Sequence, residues 1–411
     1  MLVNTLSKVW LKPLLVLPFL VLTACGSEDA TKTTQNTFLV TAGDGRATVT
    51  WSEDSKVSYR VYSARAGQIT PANYTTFPEA KIVYNAHSGD VISGLTNGQT
   101  YSFTINASTG GPYGEAAVSQ AIVPRPAGDS WFAGKPAGTR NLNALVNGNG
   151  TMVAAGDGGV LYTSANAGTW GTWDSGNSKD VRGLLYDGAR LVAVGDEGTA
   201  LISTDLVAGT PTWKATVTGV PNRLNSVAYS GTTYVAVGTN GMLLSGVAGT
   251  DKTIVWTQQN SGATVNLNKV AFLNNQFVAL GNGGFILTSP DAITWTVQNS
   301  TVRTVLNDIA QVTLNGANTY VVVGNGGTIL RSADLITWTA DAITTPANLN
   351  TVAVGSRVMI GGDSGTILYG NGNGAWTLKS TGNSSDVKAL ANTSSGGYVA
   401  VGALGSNAYA Y

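Results

Sequence analysis

From residue 131 onward the chain repeats itself with a period near 40 residues, and no other feature restricts its architecture as strongly. Two copies show the pattern. One runs Gln276-Phe-Val-Ala-Leu-Gly281-Asn-Gly-Gly-Phe-Ile-Leu-Thr-Ser289-Pro-Asp291-Ala-Ile-Thr-Trp295. The next runs Tyr320-Val-Val-Val-Gly324-Asn-Gly-Gly-Thr-Ile-Leu-Arg-Ser332-Ala-Asp334-Leu-Ile-Thr-Trp338. Glycines align at Gly156, Gly195, Gly238, Gly281, Gly324, Gly362 and Gly402, at spacings of 39, 43, 43, 43, 38 and 40 residues. Tryptophans close six copies, at Trp173, Trp213, Trp256, Trp295, Trp338 and Trp376. Each copy holds four short apolar runs divided by turn residues, the content of one four-stranded propeller blade.

The seventh copy begins at Asp386-Val-Lys-Ala-Leu and runs through Tyr398-Val-Ala-Val-Gly402 to Tyr411, without its closing tryptophan strand. Trp131 stands before the first copy with no copy of its own. The pattern therefore predicts that the segment at Trp131 supplies the missing outer strand, closing a ring of seven blades by pairing its two ends. Val-Ala-Val-Gly strands are apolar on both faces, as they must be when each blade is covered by a neighbour on either side. Ala193, Ala236 and Ala279 keep the crowded inner part of a blade thin.

Upstream, residues 37–126 form a separate unit. Ala47-Thr-Val-Thr-Trp51 and Val57-Ser-Tyr59-Arg-Val61-Tyr62 alternate as strands do. Ile92-Ser-Gly-Leu95-Thr-Asn-Gly98-Gln-Thr-Tyr101-Ser-Phe103-Thr-Ile105 follows. A buried Trp, a Leu-x-x-Gly-x-x-Tyr corner and Phe-x-Ile-x-Ala together resemble the fibronectin type III domain. The resemblance implies a sandwich with Trp51 and Tyr101 in its core, the tyrosine hydroxyl bonding back to the backbone near Leu95. The fold class read from the sequence is all-β: a fibronectin type III-like sandwich over 37–126, then a seven-bladed β-propeller over 127–411.

The start of the chain carries Lys8 and Lys12, an apolar run from Leu14 to Val21, and Leu22-Thr-Ala-Cys25-Gly26. A positive start, a short apolar stretch and small residues mark a signal peptide over 1–24. The ending resembles the lipobox of bacterial lipoproteins, which implies cleavage before Cys25 and acylation of its thiol. Cys25 is the only cysteine. The residue after it, Gly26 rather than Asp, implies by the same resemblance an outer-membrane lipoprotein of the bacterial cell envelope. Residues 25–36 are polar and aperiodic and read as a flexible tether reaching about 17–20 Å.

Composition narrows the chemistry. The chain has 23 basic and 23 acidic residues, and only 11% of its residues are charged, so no basic stripe points to nucleic acid. His87 is the single histidine. The repeat region thus holds no Ser-His-Asp system and no histidine or cysteine metal site. Its one glutamate is Glu197. His87 reads as a solvated turn residue. Gly156-Asp-Gly-Gly and Gly362-Asp-Ser-Gly resemble scraps of acidic loops, but no twelve-residue calcium loop is present. No metal and no cofactor is implied.

The repeats resemble propellers with sialidase-type Asp boxes, especially the photosystem II assembly factor-like group. The boxes here are Ser203-Thr-Asp205, Ser289-Pro-Asp291 and Ser332-Ala-Asp334, with a degenerate Ser164-Ala-Asn166. Ser and Asp side chains can bond the backbone of their own turn, which accounts for the boxes structurally. A second repeated position bears on function. A polar residue follows Leu or Val at the start of each inner strand: Asn143, Arg182, Asn225, Asn268, Asn307, Asn350 and Lys388. These ring one mouth of the central channel. Arg182 and Lys388 depart from asparagine on the blades flanking blade 1, and Asp157 and Asp196 lie in nearby turns. Asn143, Asp157, Arg182, Asp196 and Lys388 are therefore the candidate ligand-binding residues, with an anionic ligand expected. The alternative is that each cation serves a local partner, Asp180 or Asp386. The function expected is a lipid-anchored, non-enzymatic binding or assembly platform for a protein or glycan. The alternative is a carbohydrate-active hydrolase of sialidase-like type, using Arg182, Arg223, Arg303 and Glu197.

Overall fold

The structure is a computed structural model that describes residues 38–108, 118–203, 212–249, 253–314, 316–343 and 345–410. Cys25, the signal peptide and the tether lie outside the described residues, as does Asp205 of the first Asp box.

The upstream strands are β1 (Leu39–Gly43), β2 (Arg46–Thr50), β3 (Ser58–Ala64), β4 (Lys81–Tyr84), β5 (Val91–Ser93), β6 (Tyr101–Ser108) and β7 (Gln120–Ile122). They form two antiparallel sheets, ordered β1-β2-β5 and β4-β3-β6-β7. The sheets face one another across one core. Period-2 alternation sends Ala47 and Val49 of β2 inward to meet Tyr59, Val61, Phe103 and Ile105. Trp51 falls one residue beyond β2 and stacks at a tilt on Tyr59, with ring centroids 5.3 Å apart. Tyr101 is fully buried, and its hydroxyl accepts the Thr96 N–H at 2.9 Å, one residue past the expected anchor at Leu95.

Seven four-stranded antiparallel sheets follow. Their inner strands begin at Leu142, Val181, Leu224, Leu267, Leu306, Leu349 and Val387. Each inner strand touches the next, and the seventh touches the first, so the sheets close into a ring. The second strands show why they are apolar on both faces. Tyr234 and Ala236 pack toward the second blade, while Val235 and Val237 pack toward the fourth. Fully burying a valine or larger side chain contributes ~1.5–3 kcal/mol, so each such strand is held strongly from both sides.

Closure runs as the repeat pattern implies, with one shift. The outer strand of blade 7 is β8 (Phe132–Ala133), which pairs Phe132 with Tyr409 and Ala133 with Ala408. Trp131 itself precedes the strand and packs part-buried against the blade 7 core. Backbone bonds continue the seam, from the Gly134 N–H to the Asn407 oxygen at 3.0 Å and from the Ala137 N–H to the Gly405 oxygen at 2.9 Å.

The aligned glycines have a steric cause. A Cβ on Gly156 would lie 1.8 Å from the Asn141 carbonyl oxygen, and one on Gly402 would lie 1.7 Å from that of Asp386. All seven glycines meet the residue just before their own inner strand in this way. The N–H that follows each glycine donates to the same carbonyl, as from Asp157 to Asn141 at 3.0 Å and from Asp196 to Asp180 at 2.9 Å. The bond brings the chains together, and only glycine lets them come so close.

The upstream sheets are tied to the ring through the β1–β2 turn. Asp44 accepts from Asn97, from Ser356 and from the Ala127 N–H. Arg357 pairs with Asp129 at 3.0 Å and lies over the Tyr369 ring at 4.7 Å.

Two predictions follow from packing and closure. Gly156→Ala has to displace the Asn141 carbonyl and should cost more than ~2 kcal/mol. Gly171→Ala, whose Cβ would come no nearer than 3.9 Å to any atom, should stay within ~0.5 kcal/mol. Denaturant midpoints of the two variants check the contrast, and equal midpoints would defeat the steric account. A chain lacking residues 1–136 should melt lower, and self-associate more, than one lacking 1–126, because the Asn407–Ala410 strand loses its partner. Scanning calorimetry with sedimentation velocity compares them.

Candidate functional site

The close approach of glycine and carbonyl has a second effect. In every blade the pairing of inner and second strands slips by one residue beside that glycine. In blade 2, Val181 opposes Gly195 and Gly183 opposes Val194, leaving Arg182 unpaired between them. The same β-bulge isolates Asn143, Asn225, Asn268, Asn307, Asn350 and Lys388. A bulge re-aims the side chain it carries. All seven bulge residues line one cavity of about 420 Å³ at the channel mouth. The repeated polar residues therefore sit second within the inner strands, and the bulge is what turns them to the channel.

The five asparagines are engaged in the same manner. Each donates its amide N–H to the first carbonyl of the next inner strand: Asn143 to Val181 at 3.1 Å, Asn225 to Leu267 at 2.8 Å and Asn268 to Leu306 at 3.0 Å. Asn307 reaches Leu349 at 2.8 Å and Asn350 reaches Val387 at 3.0 Å. Four of them also donate to the turn residue after their own glycine, as Asn143 does to Asp157 at 2.8 Å. A second set of bonds joins blades on this face. The residue before an inner strand accepts a turn N–H of the preceding blade, as Asp180 does from Gly158 at 2.6 Å and Asp386 from Ser364 at 2.9 Å. The junction from blade 2 to blade 3 has neither bond among the described residues, because Arg182 and Arg223 occupy the two positions.

The structure brings Asn143, Asp157, Arg182 and Asp196 together, and Arg182 engages its local partner Asp180 and two further carboxylates. Its guanidinium is enclosed by three carboxylates: Asp180 at 2.5 Å, Asp196 at 3.2 Å and Asp157 at 3.4 Å. Its side chain is 26% exposed and still lines the cavity. Burial would lower its pKa, but these bonds and charges outweigh burial and raise it. Asp157 is affected in the opposite sense. Burial pushes its carboxyl up, yet donation from Asn143 and Asn141 and the charges of Arg182 and Lys388 hold it below the ordinary carboxylate range. Lys388 differs again. It lines the cavity but makes no hydrogen bond or ion pair among the described residues, and Asp386 accepts instead from the Ser364 N–H.

Other candidates fall into place. Asp291 and Asp334 each accept a Ser hydroxyl and two backbone N–H groups of their own turn, so these Asp boxes are turn braces. The turn amides hold the Asp334 carboxyl down to about 2. His87 is exposed, with Nδ1 2.7 Å from Glu53. Glu197 pairs with Lys179 at 2.6 Å, and Arg182 is enclosed, so two groups of the hydrolase alternative are already engaged. Among the described residues no group of three or more His, Cys, Asp or Glu side chains could hold a metal ion.

One feature escaped the sequence reading. Lys269 and Asp308 occupy the position after the bulge in blades 4 and 5 and pair at 2.9 Å. Asp308 is 6% exposed and also accepts the Val352 N–H of blade 6 at 2.9 Å, linking three blades. The signal was present, since the equivalent positions elsewhere are Ala144, Gly183, Ser226, Thr351 and Ala389. Arg223 and Arg303, named for the hydrolase alternative, are exposed just before the inner strands of blades 3 and 5 and make no hydrogen bond or ion pair among the described residues.

The ring of seven sheets is similar to solved propellers. YCF48 from Cyanidioschyzon merolae superposes with a TM-score of 0.56 at 15% identity, covering 69% of this chain and 99% of that one. A structure of YCF48 bound to D1 peptide gives 0.56 at 17% identity, covering 69% and 97%. The WD40 β-propeller domain of Doa1 gives 0.53 at 10% identity, covering 68% and 95%. At these identities the likeness shows the fold: the chain contains a β-propeller. A scan against protein-family models and a search of curated proteins returned no match.

The lowered pKa of Asp157 sets a pH dependence. A carboxylate whose folded pKa is depressed adds stability above its unfolded value, ~3.9, and that stability is lost as pH falls through the folded pKa. Wild type should therefore exceed Asp157→Asn in melting temperature at pH 6, and the gap should narrow below about pH 4. A constant gap from pH 6 to pH 3 would show that Asp157 stays neutral or exposed.

Proposed function

We propose that this chain is a non-enzymatic recognition platform of a bacterial cell envelope, tethered by acylated Cys25 and taking an acidic protein segment at the propeller's channel mouth. The observation that carries the binding reading is an imbalance of commitment. The carboxylates on this face are already bonded within the protein: Asp157 and Asp363 by amides, Asp386 by the Ser364 N–H, Asp180 and Asp196 by Arg182, Asp308 by Lys269. Lys388, which lines the cavity on blade 7, and Arg223 and Arg303, which are exposed just before the inner strands of blades 3 and 5, have no hydrogen bond or ion pair among the described residues. A ligand therefore meets available cationic donors and few available anions. Charge-assisted bonds to such donors are the strong ones. YCF48, which shares the propeller fold, has been solved with a bound peptide.

The remaining parts of the reading rest on sequence and topology. The strand orders β1-β2-β5 and β4-β3-β6-β7 and the Tyr101–Thr96 bond support a fibronectin type III-like unit acting as a spacer. The lipobox-like Leu22-Thr-Ala-Cys25 supports the anchor.

Two experiments test these parts separately. Cys25→Ser should move the protein from the membrane pellet to the soluble fraction, with loss of acyl mass from the mature N-terminus. Unchanged pelleting without acyl mass would overturn the anchor. For the mouth, an oligoglutamate peptide should bind less tightly as salt rises from 50 to 500 mM. The triple change Lys388→Asn, Arg223→Asn, Arg303→Asn should weaken it at least tenfold. Equal affinity in the triple variant, or binding only of carboxylated glycans, would defeat the acidic-segment reading.

A further inference from the structure

We propose that the cleft between the β1-β2-β5 sheet and blades 7 and 1 binds a small amphiphile bearing an oxyanion head, with Arg46 holding that head. This inference is independent of the channel mouth. Alternation on β2 sends Ala47 and Val49 into the upstream core and leaves Arg46, Thr48 and Thr50 on the opposite face. That face forms one wall of a cleft of about 500 Å³. The other wall comes from the ring, with Met152 on the second strand of blade 1 and Ala167 and Ser395 in turns. The volume and the position between two packed units match the usual setting of a small-molecule site.

The chemistry of the lining selects the ligand. Among the described residues Arg46 is the only charged side chain that lines it, and no carboxylate does. Arg46 is part-buried and has neither an ion pair nor a hydrogen bond among the described residues. Burying a charge without a partner is costly, so an anion entering the cleft gains a paired contact rather than displacing one. A Cβ on Gly43 would lie 3.0 Å from the Arg46 Cγ and Nε, and one on Gly396 would lie 3.4 Å from a terminal nitrogen, so two glycines make room for it. A planar guanidinium presents paired donors suited to carboxylate or phosphate. Threonine hydroxyls share its face. Ala42, Val91, Met152 and Ala167 supply apolar surface for a compact aliphatic body. One cation in the lining matches one anionic head.

Calorimetric titration of the full chain with hexanoate, hexyl phosphate and hexanol tests the proposal. At least one of the two anions should bind one-to-one, with hexanol at least tenfold weaker, and the stronger anion identifies the head as carboxylate or phosphoryl. Arg46→Met should weaken the anion at least tenfold, while Lys388→Asn leaves it unchanged. Thr48→Trp, which fills the cleft from the strand face that lines it, should abolish binding. Should Thr48→Trp not fold, Arg46→Met alone decides. The proposal is overturned if neither anion binds, if hexanol binds as well as the anions, or if Arg46→Met leaves affinity unaltered.

Discussion

The ring depends on one contact repeated seven times: an aligned glycine pressed against the carbonyl that precedes its inner strand. Space for a side chain is missing by more than an ångström at the tightest copies, and the N–H after the glycine bonds the same carbonyl. That contact pulls the second strand across the mouth and forces the pairing to slip by one residue. The bulge follows, and with it the row of side chains at the channel. Structure and candidate site thus share one cause, so a change at the glycine is a change at the mouth as well.

The asparagine at a bulge reaches both its own turn and the next blade, so it serves as a joint between blades. Replacing it with a cation removes the joint. Arg182 compensates by gathering carboxylates from blades 1 and 2, so its charge is already matched within the protein. Lys388 does not compensate, and its neighbours Asn350 and Asn143 remain bonded to their own partners. Two substitutions that look equivalent along the repeat therefore differ in what they leave free.

Much of this was legible in the sequence. The period gave seven blades, and the stray aromatic segment before the first copy marked the closing strand, although pairing begins at Phe132 rather than Trp131. The five asparagines and two cations were visible as one column of the repeat. The enclosure of Arg182 was only half visible. Asp180 is two residues away, but Asp157 arrives from the neighbouring blade, and only the ring's curvature brings it within reach. The cleft at Arg46 was not legible at all. It depends on how the β1–β2 turn seats against Ser356 and Arg357, and no periodicity reports on contacts between unlike units.

Because blade 7 takes strands from both ends of the ring, the order of synthesis matters. As the chain emerges, six blades can be complete while Phe132–Ala133 still has no partner, since Asn407–Ala410 is made hundreds of residues later. Until then the first and sixth blades each expose an apolar face that a neighbour normally covers. The nascent ring is an open arc with two adhesive ends, and its solubility during that interval rests on how quickly the last strand arrives.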